Sequence, residues 1–352
     1  AIGSHAKVGA SNSIVLGGPG AWAVNVGIGT TTPWAKLSIQ NTYGSQTALF
    51  DVASSTNASG SATTSLFRIL ANGTLAMGST TNASIFINGG GTTTNTFNSQ
   101  RNIAIGNQTY SYADTAATDN IALGYQSMYG SSSVLMTGAY NTALGKQTLF
   151  NNTSGTGNTA IGNIALIANT TESNNTAIGQ LSMWSNTSGG KNVAIGFQPL
   201  KLNTTGMNNI AIGENSLLNS VSASAHSAIG WNSLLNTTGA SSTALGSWAG
   251  QTNTTGNNNL YLGDEADALA GTYSNSAAIG SHAKVGASNS IVLGGTGAWA
   301  ANVGIGTSTP WAKLSIQNTY GSQTTLFDVA SSTNASGSAT SSLFRVNANG
   351  TV

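Results

Sequence analysis

The residues of this chain that could perform chemistry are few and lie far apart. The histidines are His5, His226 and His282, and His282 is the repeat copy of His5. Isolated imidazoles predict neither a catalytic pair nor a metal site, because both need a second group within reach. With only nine Asp and Glu in 352 residues, the positioned carboxylate pair of a glycosidase is not indicated either. We therefore predict that the chain is not an enzyme, with no catalytic residue and no cofactor.

One acidic cluster is present, formed by Asp264, Glu265 and Asp267 directly after Gly263. Oxygen-rich loops of this kind can hold calcium, but the spacing differs from that of a calcium-binding EF-hand loop. A solvated loop is the favoured interpretation, so we assign no metal site and keep these three residues as its one candidate.

A Gly-Ile-Gly run at 27–29 invites comparison with a dinucleotide-binding loop. The third glycine of that motif is missing and no helix is predicted after it, so no helix N-terminus could receive a pyrophosphate. The run instead predicts a turn that leads to Pro33.

Exposed tryptophans on a β-solenoid can stack on sugar rings. Trp184, Trp231 and Trp248 occupy different places in their repeats, which predicts that they form no platform. The others recur because a larger unit recurs, and we expect them to cap the end of a folded segment where strand edges would otherwise be bare. These are Trp22 and Trp34 with their copies Trp299 and Trp311.

The composition excludes several classes of protein. Charged residues make up 5% of the chain and the net charge is +1, which argues against nucleic-acid binding, since that requires clustered Lys and Arg. Cysteine is absent, so disulfides and thiolate metal sites are excluded, and secretion is compatible with this composition. No apolar run is long enough to predict a membrane span.

The sequence is repetitive at two scales. Residues 278–352 copy residues 1–75 with eight substitutions, at a constant offset of 277. We expect the chain to be a window on a longer polypeptide that repeats this unit. Between about 101 and 295 an Asn-x-Ala-Ile/Leu-Gly motif recurs, usually every 17 residues and once after 16, with glycines at 162, 179, 196, 213, 230, 246, 263 and 280.

The fine repeat predicts stacked coils of short strands and turns. Helical periodicity is absent, and Asn and Gly punctuate every unit. Because neighbours in a strand point to opposite faces, we predict that the Ile/Leu column, such as Ile161 and Ile178, fills the core. The Ala column, such as Ala160 and Ala177, should then face another chain. A second short strand, as at Ser182-Met183, should form the opposite wall of each coil.

Asparagine at the first position of the motif predicts an amide ladder along the stack. The residues are Asn158, Asn175, Asn192, Asn209 and Asn259. Tyr261 is the exception in the Ala column, and Thr-rich turns follow at 203–206, 236–239 and 253–256.

The motif at 158–162 with the small residue Ala165 resembles the head repeats of YadA-like trimeric autotransporter adhesins. The resemblance covers about 101–295 and 1–18. It implies a left-handed β-roll and a homotrimer around a common axis. This sequence departs from the family in its coil length, 17 rather than the commoner 14 residues, which implies longer outward loops. Two further motifs, at 25–33 and 65–73, resemble the strand-turn modules of phage tail-fibre shafts and of giant surface proteins of ultra-small bacteria.

The sequence as a whole predicts an all-β fibre in which β-rolls alternate with connectors. We expect the end of a roll at 1–18, a β-rich connector at 19–100, a roll of about a dozen coils at 101–295, and the next connector from 296 to 352, with strands near 35–39, 49–52 and 66–70.

The expected function is a structural segment of an extracellular, cell-surface filament that mediates adhesion or cell–cell attachment. Its partners would be copies of itself and a receptor such as a host-cell or surface glycan. Two alternatives stay open: a carbohydrate- or ice-binding β-solenoid, motivated by the Thr-rich turns, and a phage tail-fibre shaft.

Overall fold

The structure of the chain is a computed structural model. The structure describes residues 25–28, 30, 35–39, 48–55, 63–70, 75–77, 85–87, 101–113, 116–130, 135–317, 325–332, 340–348 and 351–352. The predicted elements at 1–18 lie outside these residues.

Two small sheets come first along the chain. Their strands are β1 (Val26–Ile28), β2 (Leu37–Ile39), β3 (Ala48–Ser55), β4 (Thr63–Leu70) and β5 (Leu75–Met77). β1 and β2 pair in parallel, whereas β3, β4 and β5 form an antiparallel sheet. These strands confirm the three that the sequence predicts near residues 37, 50 and 68.

The main body is a β-solenoid of about eleven turns. Its strands are β6 (Ile85–Ile87), β7 (Ile103–Ile105), β8 (Ile121–Leu123), β9 (Thr142–Leu144), β10 (Thr159–Ile161), β11 (Thr176–Ile178), β12 (Val193–Ile195), β13 (Ile210–Ile212), β14 (Ser227–Ile229), β15 (Thr243–Leu245), β16 (Leu260–Leu262), β17 (Asp267–Ala268), β18 (Ala277–Ile279), β19 (Lys284–Val285) and β20 (Ile291–Leu293). Among the described residues, thirteen of these form one parallel sheet that runs in chain order from β6 to β20 without β17 and β19, which pair with each other. The predicted all-β stacked-coil fold is confirmed.

Equivalent residues of successive coils lie directly over one another. Thr159 pairs with Thr176, and Ala160 pairs with Ala177. At about 4.8 Å between neighbouring parallel strands, thirteen strands make a sheet about 58 Å long. Backbone hydrogen bonds between coils therefore hold the stack together along its whole length.

A second connector follows the solenoid. It contains a 3₁₀ helix (Gly297–Trp299) and strands β21 (Val303–Ile305), β22 (Leu314–Ile316), β23 (Thr325–Ser332) and β24 (Thr340–Asn347). The parallel β21–β22 pair and the antiparallel β23–β24 hairpin repeat the registers of β1–β2 and β3–β4. Within the part of the chain that the structure describes, no helix has the length and apolar character needed to cross a membrane.

The solenoid interior reverses the predicted roles of two columns. Ala160, Ala177 and Ala194 are fully buried, whereas Leu144 and Leu245 are 44% and 46% exposed. The Ala column therefore faces inward and the Ile/Leu column outward, so our prediction for this pair of columns was wrong. The physical reason is that the coil is thin: a large side chain from the opposite wall already fills the space in front of each alanine.

That opposite wall is built by turns rather than by the predicted second strand. Leu166 and Met183 are fully buried and lie in these turns, and both have left-handed backbones with φ of 51°. Ser182 Oγ donates to the carbonyl of Ala194 at 3.0 Å, which shows that the wall faces the strands across the interior. The predicted role of an opposite wall is confirmed, but its predicted strand conformation was wrong.

A glycine ends the strand in every regular coil. Gly162 has φ of 124°, and a Cβ added there would lie 2.7 Å from the carbonyl carbon of Gly179 in the next coil. Only glycine combines this backbone conformation with so close a stacking of backbones. The column of glycines therefore sets the corner at which each strand turns into the opposite wall.

Candidate functional site

The first-position asparagines form a buried ladder, but through the backbone rather than through amide pairs. The Oδ1 atom of Asn158 accepts from the backbone N–H of Asn175 at 2.9 Å, and its Nδ2 donates to the carbonyl of Glu172 at 2.8 Å. Asn175 bonds in the same way to Asn192 and to the carbonyl of Gly189. Each side chain thus joins its own coil to the next one and closes its own loop.

A second asparagine column forms the side-chain amide ladder that was predicted for the first. Asn169 Nδ2 donates to Asn152 Oδ1 at 2.8 Å, and Asn203 Nδ2 donates to Asn186 Oδ1 at 2.8 Å. Asn169 Nδ2 also donates to the carbonyl of Glu172 at 3.0 Å, the group that Asn158 contacts. The ladder is broken at Ser220, whose buried Oγ has no hydrogen-bond partner.

His226 occupies the first position of its coil and replaces an asparagine. Its Nδ1 accepts from the backbone N–H of Ser242 at 3.1 Å, and Nε2 lies 2.9 Å from the carbonyl of Gly239. A neutral imidazole protonated at Nε2 satisfies both contacts. Burial lowers the pKa of His226, against smaller opposing effects of the Gly239 and Ser242 contacts. The alignment of coils, which places a histidine where others have asparagine, was the sequence signal for this structural role.

The acidic candidate cluster is divided by the structure. Asp264 and Glu265 are exposed at the corner of their coil and are joined there by His282 of the next coil, with one ligand atom of each residue within 4.8 Å of the others. Asp267 instead points into the coil and is 3% exposed. Sequence reasoning missed His282 because it lies seventeen residues after Glu265, one coil further along the stack.

Asp267 is held by backbone donors. Its Oδ2 accepts from the N–H of Thr252 at 3.0 Å and its Oδ1 from that of Ala268 at 2.8 Å, while Lys284 Nζ lies 3.9 Å away. Burial raises the pKa of Asp267, and the hydrogen bonds and Lys284 oppose that change. These contacts make Asp267 part of the solenoid interior.

Two of the tryptophans are in contact. The rings of Trp231 and Trp248 lie 4.8 Å apart in an edge-to-face arrangement, although the two residues occupy different places in their coils. Trp299 stacks on His282 at the end of the solenoid, which fits the expected capping, whereas Trp311 is 86% exposed and caps nothing. Trp22 and Trp34 lie outside the described residues.

An aromatic column follows the outer surface of the opposite wall. Tyr112 and Tyr129 meet edge to face at 5.2 Å, and Tyr129 stacks on Phe150 at 5.0 Å. Two coils further on, Trp184 is exposed beside Ile167. Asn151, Ala168 and Ser185 complete a shallow depression around these two side chains.

The threonines of the polar turns form a column of their own. Thr153, Thr170, Thr187 and Thr204 each donate a hydroxyl hydrogen bond to a carbonyl of the next coil at 3.0–3.3 Å. Their hydroxyl groups therefore donate their hydrogen bonds within the solenoid.

The outer face of the thirteen-stranded sheet carries one apolar column and one mixed column. In every strand of this sheet from β7 to β20 the residue after the inward-facing one is Ile or Leu, whereas the residue before it is Thr or Ser in five strands and apolar in the others. None of the residues in these two columns is charged. Several of these side chains are well exposed, since Ile121 is 41%, Ile210 39%, Leu262 38% and Ile291 73% exposed, and those of β10 to β12 are partly exposed. A face of this length and apolar character is a candidate interaction surface.

Comparisons with protein-family models, with curated proteins and with solved structures find no match to this chain.

Proposed function

We propose that this chain is a structural segment of a long extracellular filament on a cell surface, that three copies associate through the outer face of the thirteen-stranded sheet, and that the filament mediates adhesion. The apolar face is the observation that carries the proposal. It extends along the whole sheet, about 58 Å at 4.8 Å per strand, and exposed apolar patches of this size are typical of interaction sites.

Copies of the same chain are the partner that fits this face best. Coils stacked in register present an outward Ile or Leu at every level from β7 to β20, so two or three such faces can pack together along their length without a change in register. With ten basic and nine acidic residues in the chain, no large net charge would oppose the assembly of parallel copies.

The connector gives independent support for association. The β23–β24 hairpin leaves Phe327, Val329, Leu343 and Phe344 between 41% and 70% exposed. An isolated two-stranded hairpin is marginally stable in water. Equivalent hairpins of neighbouring copies would cover these side chains at the same level of the filament.

An elongated, nearly uncharged array of repeated units supports a role as a surface spacer or adhesin. Stacked repeats can be extended without a change in their local packing, so the length of such a filament can vary while each unit stays the same. Adhesion would then depend on repeated surfaces along the rod.

The test is the native mass of the full chain by light scattering, combined with electron microscopy. We expect three chains in a thin rod. Replacement of Ile178 and Ile195 by Asp should give monomers with an unchanged circular dichroism spectrum. The matched control is Leu202→Asp, because Leu202 is 37% exposed but does not belong to the sheet. A monomeric parent protein, or equal dissociation in both variants, would refute the proposal.

A second candidate function, carbohydrate binding, is favoured by the depression at Trp184. An exposed indole bordered by the amide of Asn151 and the hydroxyl of Ser185 combines an apolar surface with hydrogen-bonding groups, which suits a sugar ring. Glycan-array binding that is lost in Trp184→Ala but kept in Trp311→Ala would support it, and equal binding by both variants would argue against it.

A further inference from the structure

We propose that Asp264, Glu265 and His282 form a binding site for a first-row divalent metal ion of the Zn²⁺ class. The site lies on the corner of the last regular coils, next to the connector. The inference is independent of the filament proposal, because all of its ligands come from one chain.

The geometry brings three ligands, two carboxylates and one imidazole, close together. Glu265 Oε2 lies 3.3 Å from His282 Nε2, and one carboxylate oxygen of Asp264 lies within 4.8 Å of one ligand atom each of Glu265 and His282. A single ion placed between atoms at these separations can contact all three at about 2.0–2.2 Å after small side-chain rotations. The solenoid register makes the arrangement, since it places His282 directly over Glu265.

Ser281 and Trp299 both contact the imidazole of His282 and fix its orientation. Ser281 Oγ lies 2.7 Å from His282 Nδ1, and the ring stacks on Trp299 at 4.1 Å with the two planes 2° apart. When Nδ1–H donates to Ser281, the Nε2 lone pair faces the carboxylates. A hydrogen bond on the other ring nitrogen is the usual support of a metal-binding histidine.

The ammonium group of Lys284 contacts acceptors outside the proposed ligand set. Lys284 Nζ donates to the backbone carbonyl of Glu265 at 2.9 Å and lies 3.9 Å from the Asp267 carboxylate. The Glu265 side-chain carboxylate therefore pairs with His282 rather than with Lys284.

The ligand set selects the class of metal. One imidazole and two carboxylates favour Zn²⁺ and its neighbours in the first transition row, whereas Ca²⁺ and Mg²⁺ prefer oxygen ligands alone. Three protein ligands leave one or more positions for water. Because Trp299 belongs to the connector and packs on a ligand, a bound ion would fix the last coils against the start of the connector.

The first experiment is calorimetric titration of the full 352-residue chain with Zn²⁺, with Ca²⁺ as a comparison. We expect one Zn²⁺ per chain and no comparable heat with Ca²⁺. His282→Ala and Glu265→Gln should each weaken the affinity by about tenfold or more. Glu214→Gln controls for exposed carboxylates elsewhere.

A second readout uses the stacked indole. Titration with Co²⁺ should quench part of the tryptophan fluorescence, and Trp299→Phe should remove that part while keeping the affinity for Zn²⁺. Absence of Zn²⁺ binding, binding that is unchanged in His282→Ala, or tighter binding of Ca²⁺ would overturn the proposal and leave a His–Glu hydrogen bond as the role of this cluster.

Discussion

The ring of Tyr261 occupies the space that a side chain at residue 250 would need. A Cβ added to Gly250 would lie 2.6 Å from Cδ2 of Tyr261, and Tyr261 is completely buried. Regular coils have alanine in the strand and leucine or methionine on the opposite wall. At this level the large and small residues are exchanged, so that the volume of the interior is kept.

This exchange predicts strong coupling between the two positions. Gly250→Leu should destabilise the solenoid through overpacking, and Tyr261→Ala should cost about 3–5 kcal/mol through the cavity that it leaves. The double variant restores the pattern of the other coils and should recover most of the lost free energy of unfolding. Urea denaturation of the four proteins gives the coupling energy. Additive losses would contradict the packing described for these residues.

His226 predicts a pH-dependent stability. Its pKa is lowered in the folded chain, so below about 6.5, the usual value, the unfolded state binds more protons. The contribution of His226 to the free energy of unfolding should therefore be fully present above this pH. It should be lost as the pH decreases through the lowered pKa of the folded state. The urea midpoint measured across this range checks the prediction.

His226→Asn separates this effect from other titrations. The variant should keep the bond to Ser242 and lose about 1 kcal/mol if the shorter side chain fails to reach Gly239, and the part of the pH dependence that is due to His226 should disappear. His282→Ala, at a partly exposed histidine, should retain that part. Parallel pH profiles for the parent protein and His226→Asn would contradict the assignment.

Ser220 interrupts the side-chain amide ladder between Asn203 and Thr237. Its buried Oγ has no hydrogen-bond partner, which is costly inside a protein. Ser220→Asn should extend the ladder to Asn203 and raise the free energy of unfolding by about 1 kcal/mol. Ser220→Ala should raise the free energy of unfolding by less than Ser220→Asn, because it removes the unsatisfied hydroxyl without adding a bond. A thermal-unfolding series that ranks Asn below Ala would count against the ladder geometry.

Leu217 and Leu218 test the direction of the side chains in the opposite wall. Leu217 is fully buried, whereas its neighbour is only partly buried. Leu217→Ala should cost about 2–5 kcal/mol, and Leu218→Ala should cost much less, because it leaves no enclosed cavity. Chemical denaturation of the two variants measures the difference. Equal losses would mean that both side chains contribute to the core.

The sequence alone determined the repeat, the all-β character, the stacking of coils in register and the importance of asparagine at the first position. These features depend on local patterns: a fixed period, turn-forming residues and the absence of helical periodicity. Even the replacement at His226 can be read from the alignment of one coil with the next.

The tertiary structure decided which face of each strand is inside. The alternation of side chains along a strand shows that Ala160 and Ile161 point in opposite directions, but it does not show which of them faces the interior. That depends on the thickness of the coil, which is set by Leu166 on the opposite wall, and Leu166 lies there because the intervening turn adopts left-handed conformations unusual for leucine. In the same way, only the stacking of coils brings His282 to Glu265, and only the packing of the strand against the opposite wall brings Tyr261 to Gly250.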